Sequence, residues 1–338
     1  MNIALTDSFG VTDDAKLPFL TRAIDPTKAR RQLEACLRPR IGAEGSLHLL
    51  ALRLVRHKPG RRALVEYDVR VERGGAADET LMLIGKARAR GLAGRDFQLQ
   101  TALWQSNFGP DSADGICVPE PVGIIPDFQM WLQRKAPGVR ATSLLAQSGG
   151  AALAARIAEA AWKIHRLGVP VARRHAIADE LRILHERLGL LMSERPDLTA
   201  RLKRVLAACD RLGASLPEPT RRTIHRDFYP DQVLVADMRL YLLDFDLYCE
   251  GDPALDIGNF LGHVTEQSLR ATGDPRALRD VEEAFEKRYV ELAGERVRAD
   301  VRAYATLSLV RHIHLSTQFA ERQHLTEAIL ELCERRLL

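Results

Sequence analysis

A change of pattern near residue 135 constrains most strongly what this chain can fold into. From Ser46 to Gln133, short apolar runs alternate with polar residues and stop at turns such as His57-Lys58-Pro59-Gly60, which is typical of antiparallel strands. From Pro137 onward, apolar residues recur at three- and four-residue spacing, as they do in amphipathic helices. Strands followed by helices predict a bilobal α+β fold, with a small antiparallel-sheet lobe and a large, mostly helical lobe.

The first lobe is predicted to contain strands with one helix inserted after the third of them. The expected strands are Leu47–Arg56, Leu64–Glu72, Thr80–Ala87, Val122–Ile125 and Gln129–Gln133, and the expected helix is Arg95–Asn107. Further turns are expected at Gly74-Gly75 and Pro126-Asp127. The predicted domains are an N-terminal extension at 1–45, whose helix Pro26–Leu37 packs on the small lobe, a sheet-rich lobe at 46–134 and a helical lobe at 135–338.

The second lobe is predicted to be helical apart from one small hairpin. Its expected helices are Ala151–Leu167, His175–Leu191, Leu198–Leu212, Arg279–Ala293, Val301–Gln318 and Thr326–Leu337. Between Thr223 and Tyr248, two short apolar runs flank a turn at Asp237, and we expect them to pair as a hairpin among the helices.

Composition excludes several classes of protein. The 49 basic and 45 acidic residues leave a formal net charge of only +4, so no nucleic acid is expected as a partner. The five cysteines are scattered without a C-x-x-C pair, which argues against a zinc site or a disulfide framework and favours reduced thiols in the cytoplasm. We expect no signal peptide and no membrane span, because no apolar run reaches about 18 residues. The sequence indicates no particular oligomeric state.

The most informative segment carries two acids at the two ends of the predicted hairpin. Asp227 precedes the first strand in Ile224-His225-Arg226-Asp227, and Asp244 follows the second strand. An antiparallel hairpin brings these ends together, and Gln232 can face the same place. Two carboxylates and an amide oxygen form a hard-oxygen site suited to Mg²⁺. Such a site is what phosphoryl transfer requires, since charge on the phosphates must be offset.

These motifs resemble those of aminoglycoside phosphotransferases and choline kinases, which share the protein kinase-like fold. The matching residues are His225-Arg226-Asp227, Asp244-Phe245-Asp246, Gly251 to Asp256, Lys86 within Leu83 to Lys86, and Met130-Trp131-Leu132 followed by Pro137-Gly138. The resemblance covers about residues 46 to 320. It implies a small-molecule kinase that uses Mg²⁺ and ATP to phosphorylate a hydroxyl of a sugar, amino sugar or amino alcohol.

The resemblance also implies roles for single residues. Asp227 would be catalytic, Asp244 and Gln232 would hold Mg²⁺, and Lys86 would pair with the α- and β-phosphates. The remaining nucleotide contacts would come from the turn with Gly60, Arg61 and Arg62, and from the backbone at Leu132 and Gln133, which would meet adenine. Residues 46–134 would then be the nucleotide-binding lobe, and 135–338 would carry the catalytic and metal-binding loops.

The sequence departs from the family pattern at three places. Gln232 stands where the family has Asn, which keeps the amide oxygen but adds a methylene. The turn at 57–62 lacks the full glycine set of protein kinases. The helix after Lys86 has no Glu, so its partner would be Asp96 or would be absent.

Other polar residues are expected to be structural. His225 would fix the catalytic loop through backbone hydrogen bonds, and Asp252 and Asp256 would be structural, with Asp256 bracing that loop. Four histidines of the helical lobe have no partner residues at a spacing that would indicate a functional site. They are expected to pack between helices or lie at the surface: His165, His263, His312 and His314.

Two other functions stay open. Gln232 and the missing Glu allow a degenerate kinase that binds nucleotide or a partner without turnover. Asp244-Phe245-Asp246 after an apolar run also resembles the first motif of haloacid dehalogenase-like phosphohydrolases, which would need a doubly wound domain after it.

The acceptor is also open within the kinase interpretation. Glu266, Glu282, Glu283 and Glu286 could bind a cationic compound. Arg270, Arg311 and His314 in the same region could favour an anionic or neutral sugar instead.

Overall fold

The computed structural model describes residues 4–7 (backbone only), 14–73, 77–89, 91 and 94–338. The chain divides between Pro137 and Gly138 into two compact units. The predicted turn at Gly74-Gly75 lies outside the described residues.

The first unit consists of a sheet with helices before and within it. Its elements, in chain order, are β1 (Ala4–Asp7), α1 (Leu20–Ala23), α2 (Pro26–Ile41), β2 (Ser46–Lys58), β3 (Arg62–Glu72), β4 (Glu79–Arg88), α3 (Gly94–Gln105), β5 (Ile116–Cys117), β6 (Pro121–Ile125) and β7 (Met130–Arg134).

The large sheet of this unit has the strand order β1-β2-β3-β4-β7-β6. Five of these strands, β2, β3, β4, β7 and β6, pair antiparallel with their neighbours, as predicted. The edge strand β1, which the sequence pattern did not predict, adds to β2 in parallel. The register sets Lys86 of β4 between Leu64 of β3 and Trp131 of β7, in the interior of the sheet.

One face of this sheet forms the core of the unit. Val65, Tyr67 and Val69 alternate along β3 and are fully buried, because successive side chains of a strand point to opposite faces. They share a core cluster with Leu33 and Leu37 of α2. Helix α2 begins where predicted, with Asp25 capping the amide of Lys28 and Pro26 at its first position, and it continues to Ile41.

The second unit is mostly helical. Its elements are β8 (Val139–Arg140), α4 (Gly150–Leu167), α5 (Ile177–Glu194), α6 (Thr199–Ser215), β9 (Arg222–Ile224), β10 (Val233–Ala236), β11 (Arg239–Leu242), β12 (Cys249–Gly251), α7 (Pro253–Thr272), α8 (Arg279–Ala293), α9 (Arg298–Thr317) and α10 (Thr326–Leu337).

The predicted hairpin is confirmed as β10 and β11, which pair antiparallel from Val233 opposite Leu242 to Ala236 opposite Arg239. Its turn holds Asp237 at a φ of +51°, a left-handed conformation that Asp tolerates better than most residues. Strand β8 adds to β10, and β12 pairs with β9. The hairpin therefore carries residues 227–232 before its first strand and Asp244 after its second.

Helix α7 was not predicted, although it is central to the second unit. Buried polar residues, among them Asp256, Asn259 and Glu266, interrupt its apolar pattern along the chain. Gly258 and Gly262 also lower its helix propensity. Both glycines face α9: a Cβ at Gly258 would lie 2.5 Å from the Ala305 nitrogen, and one at Gly262 would lie 2.8 Å from the Ser308 Cβ. Close approach of α7 and α9 requires these glycines.

The predicted α+β fold class is confirmed. After Asp246, β12 is the only strand and the rest of the chain is helical apart from turns, all of it within the described residues. The doubly wound domain that the phosphohydrolase alternative requires is therefore not formed. Within the described ranges, no helix combines the length and apolar character that crossing a membrane would demand.

Candidate active site

The loop between β9 and β10 is held by one buried carboxylate. Asp256, in the first turn of α7, is fully buried and accepts hydrogen bonds from the backbone amides of His225 at 2.7 Å and Arg226 at 2.6 Å. His165 of α4 lies 3.0 Å from the same carboxylate through Nε2, and its Nδ1 lies 2.8 Å from the Tyr289 hydroxyl. The predicted bracing role of Asp256 is confirmed, and His165 is a buried helix-packing residue.

This brace matters because the loop has an unfavourable backbone conformation. Arg226 has a φ of +69°, in the left-handed region that non-glycine residues seldom adopt. A single such residue costs about 1 kcal/mol or more and persists only where the surroundings enforce it. The two amide bonds to Asp256 supply that enforcement immediately before Asp227.

The same loop is joined to the end of β11. The His225 Nε2 donates to the Leu243 carbonyl at 2.8 Å, and the Leu243 amide donates to the Gln232 carbonyl at 2.9 Å. His225 therefore has the structural role that the sequence predicted. These two bonds hold the residue before Asp244 against both ends of the 225–232 loop.

The three predicted catalytic and metal-binding side chains belong to this assembly. The Gln232 amide nitrogen lies 3.4 Å from the Asp227 carboxylate, and Gln232 is buried whereas Asp227 and Asp244 are partly exposed. Asp244 has a φ of +59° and a ψ of +61°, a second left-handed non-glycine residue. Backbone strain of this kind tends to be kept at functional sites, where it aims a side chain.

The donor set fits a hard divalent cation. Carboxylate and amide oxygens are the ligands that Mg²⁺ accepts, and Asp244 and Gln232 provide one of each. In the part of the chain that the structure describes, no three His, Cys, Asp or Glu side chains converge as a metal site. Metal binding here would therefore need the amide of Gln232 beside the Asp244 carboxylate.

In the first unit, the predicted phosphate lysine lies against an aromatic ring. The Lys86 ammonium lies 4.8 Å from the centre of the Trp131 ring, a cation–π distance, and Phe97 of α3 packs edge-on against that ring. Asp96, the one acid of α3, lies 2.9 Å from the Arg88 guanidinium. A tryptophan thus lies beside Lys86, on the strand next to it.

The turn between β2 and β3 is held by a residue that the sequence did not single out. The Gly60 amide donates to the Asp14 carboxylate at 2.7 Å, and His57 Nε2 lies 2.8 Å from the same oxygen. The Gly60 amide also holds the pKa of the Asp14 carboxyl below its usual value. Gly60 has a φ of +64°, as a glycine at a tight turn can. Arg61 in this turn is exposed, and Arg62 begins β3 opposite Arg88.

The two residues named for adenine lie inside the sheet. Leu132 pairs with Gly85 of β4 and Gly123 of β6, and Gln133 pairs with Ile84 and Pro121. Backbone groups of an interior strand face the neighbouring strands. The Arg134 and Lys135 amides donate to the Glu120 and Met82 carbonyls at 2.8 Å, so a base would need free carbonyls of this segment or the backbone after Lys135.

Asn259 of α7 was not recognised from the sequence but contacts the loop that carries Asp227. Its side-chain nitrogen donates to the Phe228 carbonyl at 3.0 Å, and its oxygen accepts from Ser308 at 2.8 Å and from Arg311. Asn259 lies three residues after Asp256, the end of the recognised motif Gly251 to Asp256, and so on the same face of the helix.

Solved structures that resemble this chain include kinases and phosphotransferases. A choline/ethanolamine kinase family protein from Mesorhizobium loti matches with a TM-score of 0.53 and 14% identity over 92% of this chain and 94% of that one. The aminoglycoside phosphotransferase APH(4)-Ia matches with a TM-score of 0.57 and 15% identity over 91% and 98%. Spectinomycin phosphotransferase APH(9)-Ia, in complex with ADP and spectinomycin, matches with a TM-score of 0.53 and 11% identity over 90% and 98%. No curated protein matches the sequence.

These likenesses confirm the predicted kinase-like fold. A model of the phosphotransferase enzyme family matches residues 74–301, which is more than half of the chain and includes Lys86, the braced loop, Gln232 and Asp244. The chain belongs to the phosphotransferase enzyme family.

Proposed function

We propose that this protein transfers the γ-phosphate of ATP onto a hydroxyl group of a small molecule. The observation that carries the proposal is the braced loop, in which Asp256 and Leu243 hold Asp227 and Gln232 next to the strand end that leads to Asp244. Family membership supports transfer of phosphate to a small acceptor. The ADP bound in the spectinomycin phosphotransferase structure supports a nucleotide donor.

Asp227 is the proposed catalytic residue. Its partly exposed carboxylate would accept the proton of the acceptor hydroxyl as that oxygen bonds to the γ-phosphorus. The bond from this phosphorus to the bridging oxygen of ADP breaks, so that the products are the phosphorylated acceptor, ADP and a proton held first by Asp227. Gln232, at 3.4 Å, would orient the carboxylate through its amide.

Asp244 and Gln232 are the proposed Mg²⁺ ligands. Bound Mg²⁺ would offset charge on the β- and γ-phosphates, as phosphoryl transfer requires. The extra methylene of Gln232 relative to Asn is accommodated by a buried side chain whose backbone carbonyl is fixed by the Leu243 amide. The left-handed backbone of Asp244 would fix the direction of its carboxylate.

Residues 46–134, within the first unit, are the proposed nucleotide-binding lobe. Lys86 would pair with the α- and β-phosphates, and Trp131 would hold its ammonium in place in the absence of an α3 glutamate. The turn would contact phosphate through Gly60, Arg61 and Arg62. For this the Gly60 amide would have to release the Asp14 carboxylate and donate to a phosphate oxygen instead. Adenine would meet the backbone after Leu132 and Gln133.

The first test is the melting temperature of the wild type with and without Mg²⁺ and ATP, beside Asp244→Asn. Ligand that binds the native state raises stability by RT ln(1 + [L]/Kd). We expect a magnesium-dependent rise that Asp244→Asn loses and the exposed turn variant Asp237→Asn keeps. No rise at millimolar nucleotide would exclude ATP as the donor. A normal rise with no phosphate transfer to any acceptor would favour the degenerate kinase.

A further inference from the structure

A polar stripe runs along α7 from the catalytic loop toward solvent. Asn259, His263, Glu266 and Arg270 follow one another at spacings of four, three and four residues, so they lie on one face of the helix. Helix α7 packs along α9, where an apolar face would be expected. Polar residues on a packed face carry a desolvation penalty unless they are paired, as Asn259 is with Phe228 and Ser308.

The inner end of the stripe touches the loop that carries Asp227. Asn259 holds the Phe228 carbonyl, and the Tyr229 ring stacks on the His263 ring with centroids 4.4 Å apart. His263 in turn meets His312 of α9 edge-on at 4.4 Å. A group bound along this stripe would therefore lie beside the residues that follow Asp227.

Three guanidinium groups line the stripe: Arg270, Arg311 and Arg322, which we call the arginine cluster. Arg270 lies 3.1 Å from Glu266 and Arg322 lies 3.9 Å from the same carboxylate, while Arg311 lies 3.8 Å from Glu180. Two carboxylates thus face these three arginines, and Glu180 also faces Arg226, so positive charge is in excess. The side chains of the cluster are 35%, 21% and 29% exposed, respectively, so a ligand can reach them.

The histidines add hydrogen-bonding capacity without adding charge. Burial lowers the pKa of His312 to about 3, and burial together with His312 and the arginine cluster lowers the pKa of His263. His312 is 3% exposed, and its Nε2 has no hydrogen-bond partner among the described residues. An unsatisfied polar atom at this depth is costly unless a ligand or water meets it.

The acids that could have bound a cationic acceptor are already engaged. Glu283 lies 2.6 Å from Arg279, and Glu286 lies 2.6 Å from Arg298 and 2.9 Å from Arg302. Glu282 accepts from Thr265 at 2.6 Å, and burial raises the pKa of its carboxyl. His314, which the sequence grouped with the arginines, is buried, and its electrostatic neighbours are Arg187 and Glu194 rather than the arginine cluster.

We infer that the acceptor carries an anionic group, a carboxylate or a phosphate, which binds the arginine cluster while its hydroxyl faces Asp227. Only the placement of the hydroxyl at Asp227 rests on the proposed function. The anionic group would bind the arginine cluster with or without ATP. Guanidinium pairs with carboxylate and phosphate through charge-assisted hydrogen bonds, which are stronger and more selective than neutral ones.

The test uses sugars that differ in one group. Galactose, galactosamine, galacturonate and galactose 6-phosphate are compared as acceptors with Mg²⁺ and ATP, and also as ligands that raise the melting temperature without nucleotide. We expect galacturonate or galactose 6-phosphate to exceed galactose by about tenfold to a hundredfold in kcat/KM, the range that a charge-assisted contact supplies. Comparing galacturonate with galactose 6-phosphate shows whether the site prefers a carboxylate or a phosphate.

Matched variants assign the effect to the cluster. The double variant Arg270→Gln and Arg322→Gln should lose the preference for the acidic sugar while keeping its KM for ATP. Arg279→Gln removes an arginine from a similar i, i+4 pair on α8 and should keep the preference.

Failure of the inference is distinct from failure of the proposed function. Equal melting shifts for galacturonate, galactose 6-phosphate and galactose, including no shift at all, overturn the inference, and so does a preference for galactosamine or galactose. A larger shift for an acidic sugar that the double variant loses supports the anion site even if ATP proves not to be the donor.

Discussion

Asp256 binds three groups with two oxygen atoms and is fully buried, so its loss should be felt in both stability and activity. In Asp256→Asn, one oxygen becomes a nitrogen that cannot accept from a backbone amide, which leaves a buried donor unpaired. We expect a loss of about 1–3 kcal/mol in the free energy of unfolding by urea. Because Arg226 then loses its support, kcat should fall more than KM for ATP rises.

Asp300→Asn is a suitable control for that experiment, since Asp300 lies in the first turn of α9 and is only partly buried. It should change kcat little. A normal kcat in Asp256→Asn, at temperatures where the variant remains folded, would contradict the bracing role in catalysis.

Asp227 should matter for chemistry alone. A general base contributes about 10²–10⁴ in rate, so Asp227→Asn should lower kcat by that range and leave the melting shift with Mg²⁺ and ATP in place. Asp237→Asn is the matched control, because Asp237 is exposed and its left-handed backbone suits Asn. Equal kcat in the two variants would remove Asp227 from the mechanism.

The hairpin between Asp227 and Asp244 was predictable because its contacts are local along the chain. Asp227, Gln232 and Asp244 surround one hairpin, and hairpin geometry alone brings them to one end. Asp14 and Asn259 were not predictable in the same way. Asp14 meets Gly60 across 46 positions, and Asn259 meets Arg311 across 52, so both contacts depend on how whole elements pack.

At the scale of elements, the approach of α7 to α9 determines where the polar stripe lies. Gly258 permits that approach, since a Cβ there would lie 2.5 Å from the backbone nitrogen of Ala305. Backbone atoms cannot yield as a flexible side chain can. We expect Gly258→Ala to lower the free energy of unfolding by about 1–3 kcal/mol, despite the better helix propensity of alanine.

Gly189→Ala makes the opposite prediction on another helix. Gly189 lies exposed in α5 with nothing within 4 Å of a Cβ, so alanine should stabilise by about 0.5–1 kcal/mol. Urea unfolding of both variants separates packing from propensity. Stabilisation by Gly258→Ala would mean that α7 and α9 are not held as closely as the structure has them.

Most helix bounds and strand pairs could be predicted from the sequence, whereas two elements, α7 and β1, could not. Helix α8 has its predicted bounds, and α3 begins one residue before its predicted start, because apolar spacing is a local property. Helix α7 was not predicted because buried polar residues and the glycines Gly258 and Gly262 interrupt its apolar pattern. The edge strand β1 was not predicted either. It pairs in parallel with β2, and no short turn joins the two strands as it would in a hairpin.

For the whole molecule, the buried histidines should make stability depend on pH. An unfolded His titrates near pH 6.5, whereas His312 in the native protein stays neutral down to about pH 3. Between these values the unfolded chain binds a proton that the native one does not, so stability is lost as pH falls below about 6.5. One such group contributes about 2 kcal/mol of loss between pH 7.5 and 5.

The measurement is the free energy of unfolding by urea at pH 7.5 and at pH 5 for the wild type and His312→Gln. The variant should lose less stability over this interval, by about the 2 kcal/mol that one neutral buried imidazole contributes. Burial raises the pKa of Asp252 and Glu282, which acts in the opposite direction, but both proteins share these carboxyls and the difference cancels them. His324→Gln changes the same atoms at an exposed residue and should follow the wild type. If His312→Gln follows the wild type as well, the His312 ring is protonated in the native protein at pH 5, and the stripe carries more positive charge than the arginine cluster alone provides.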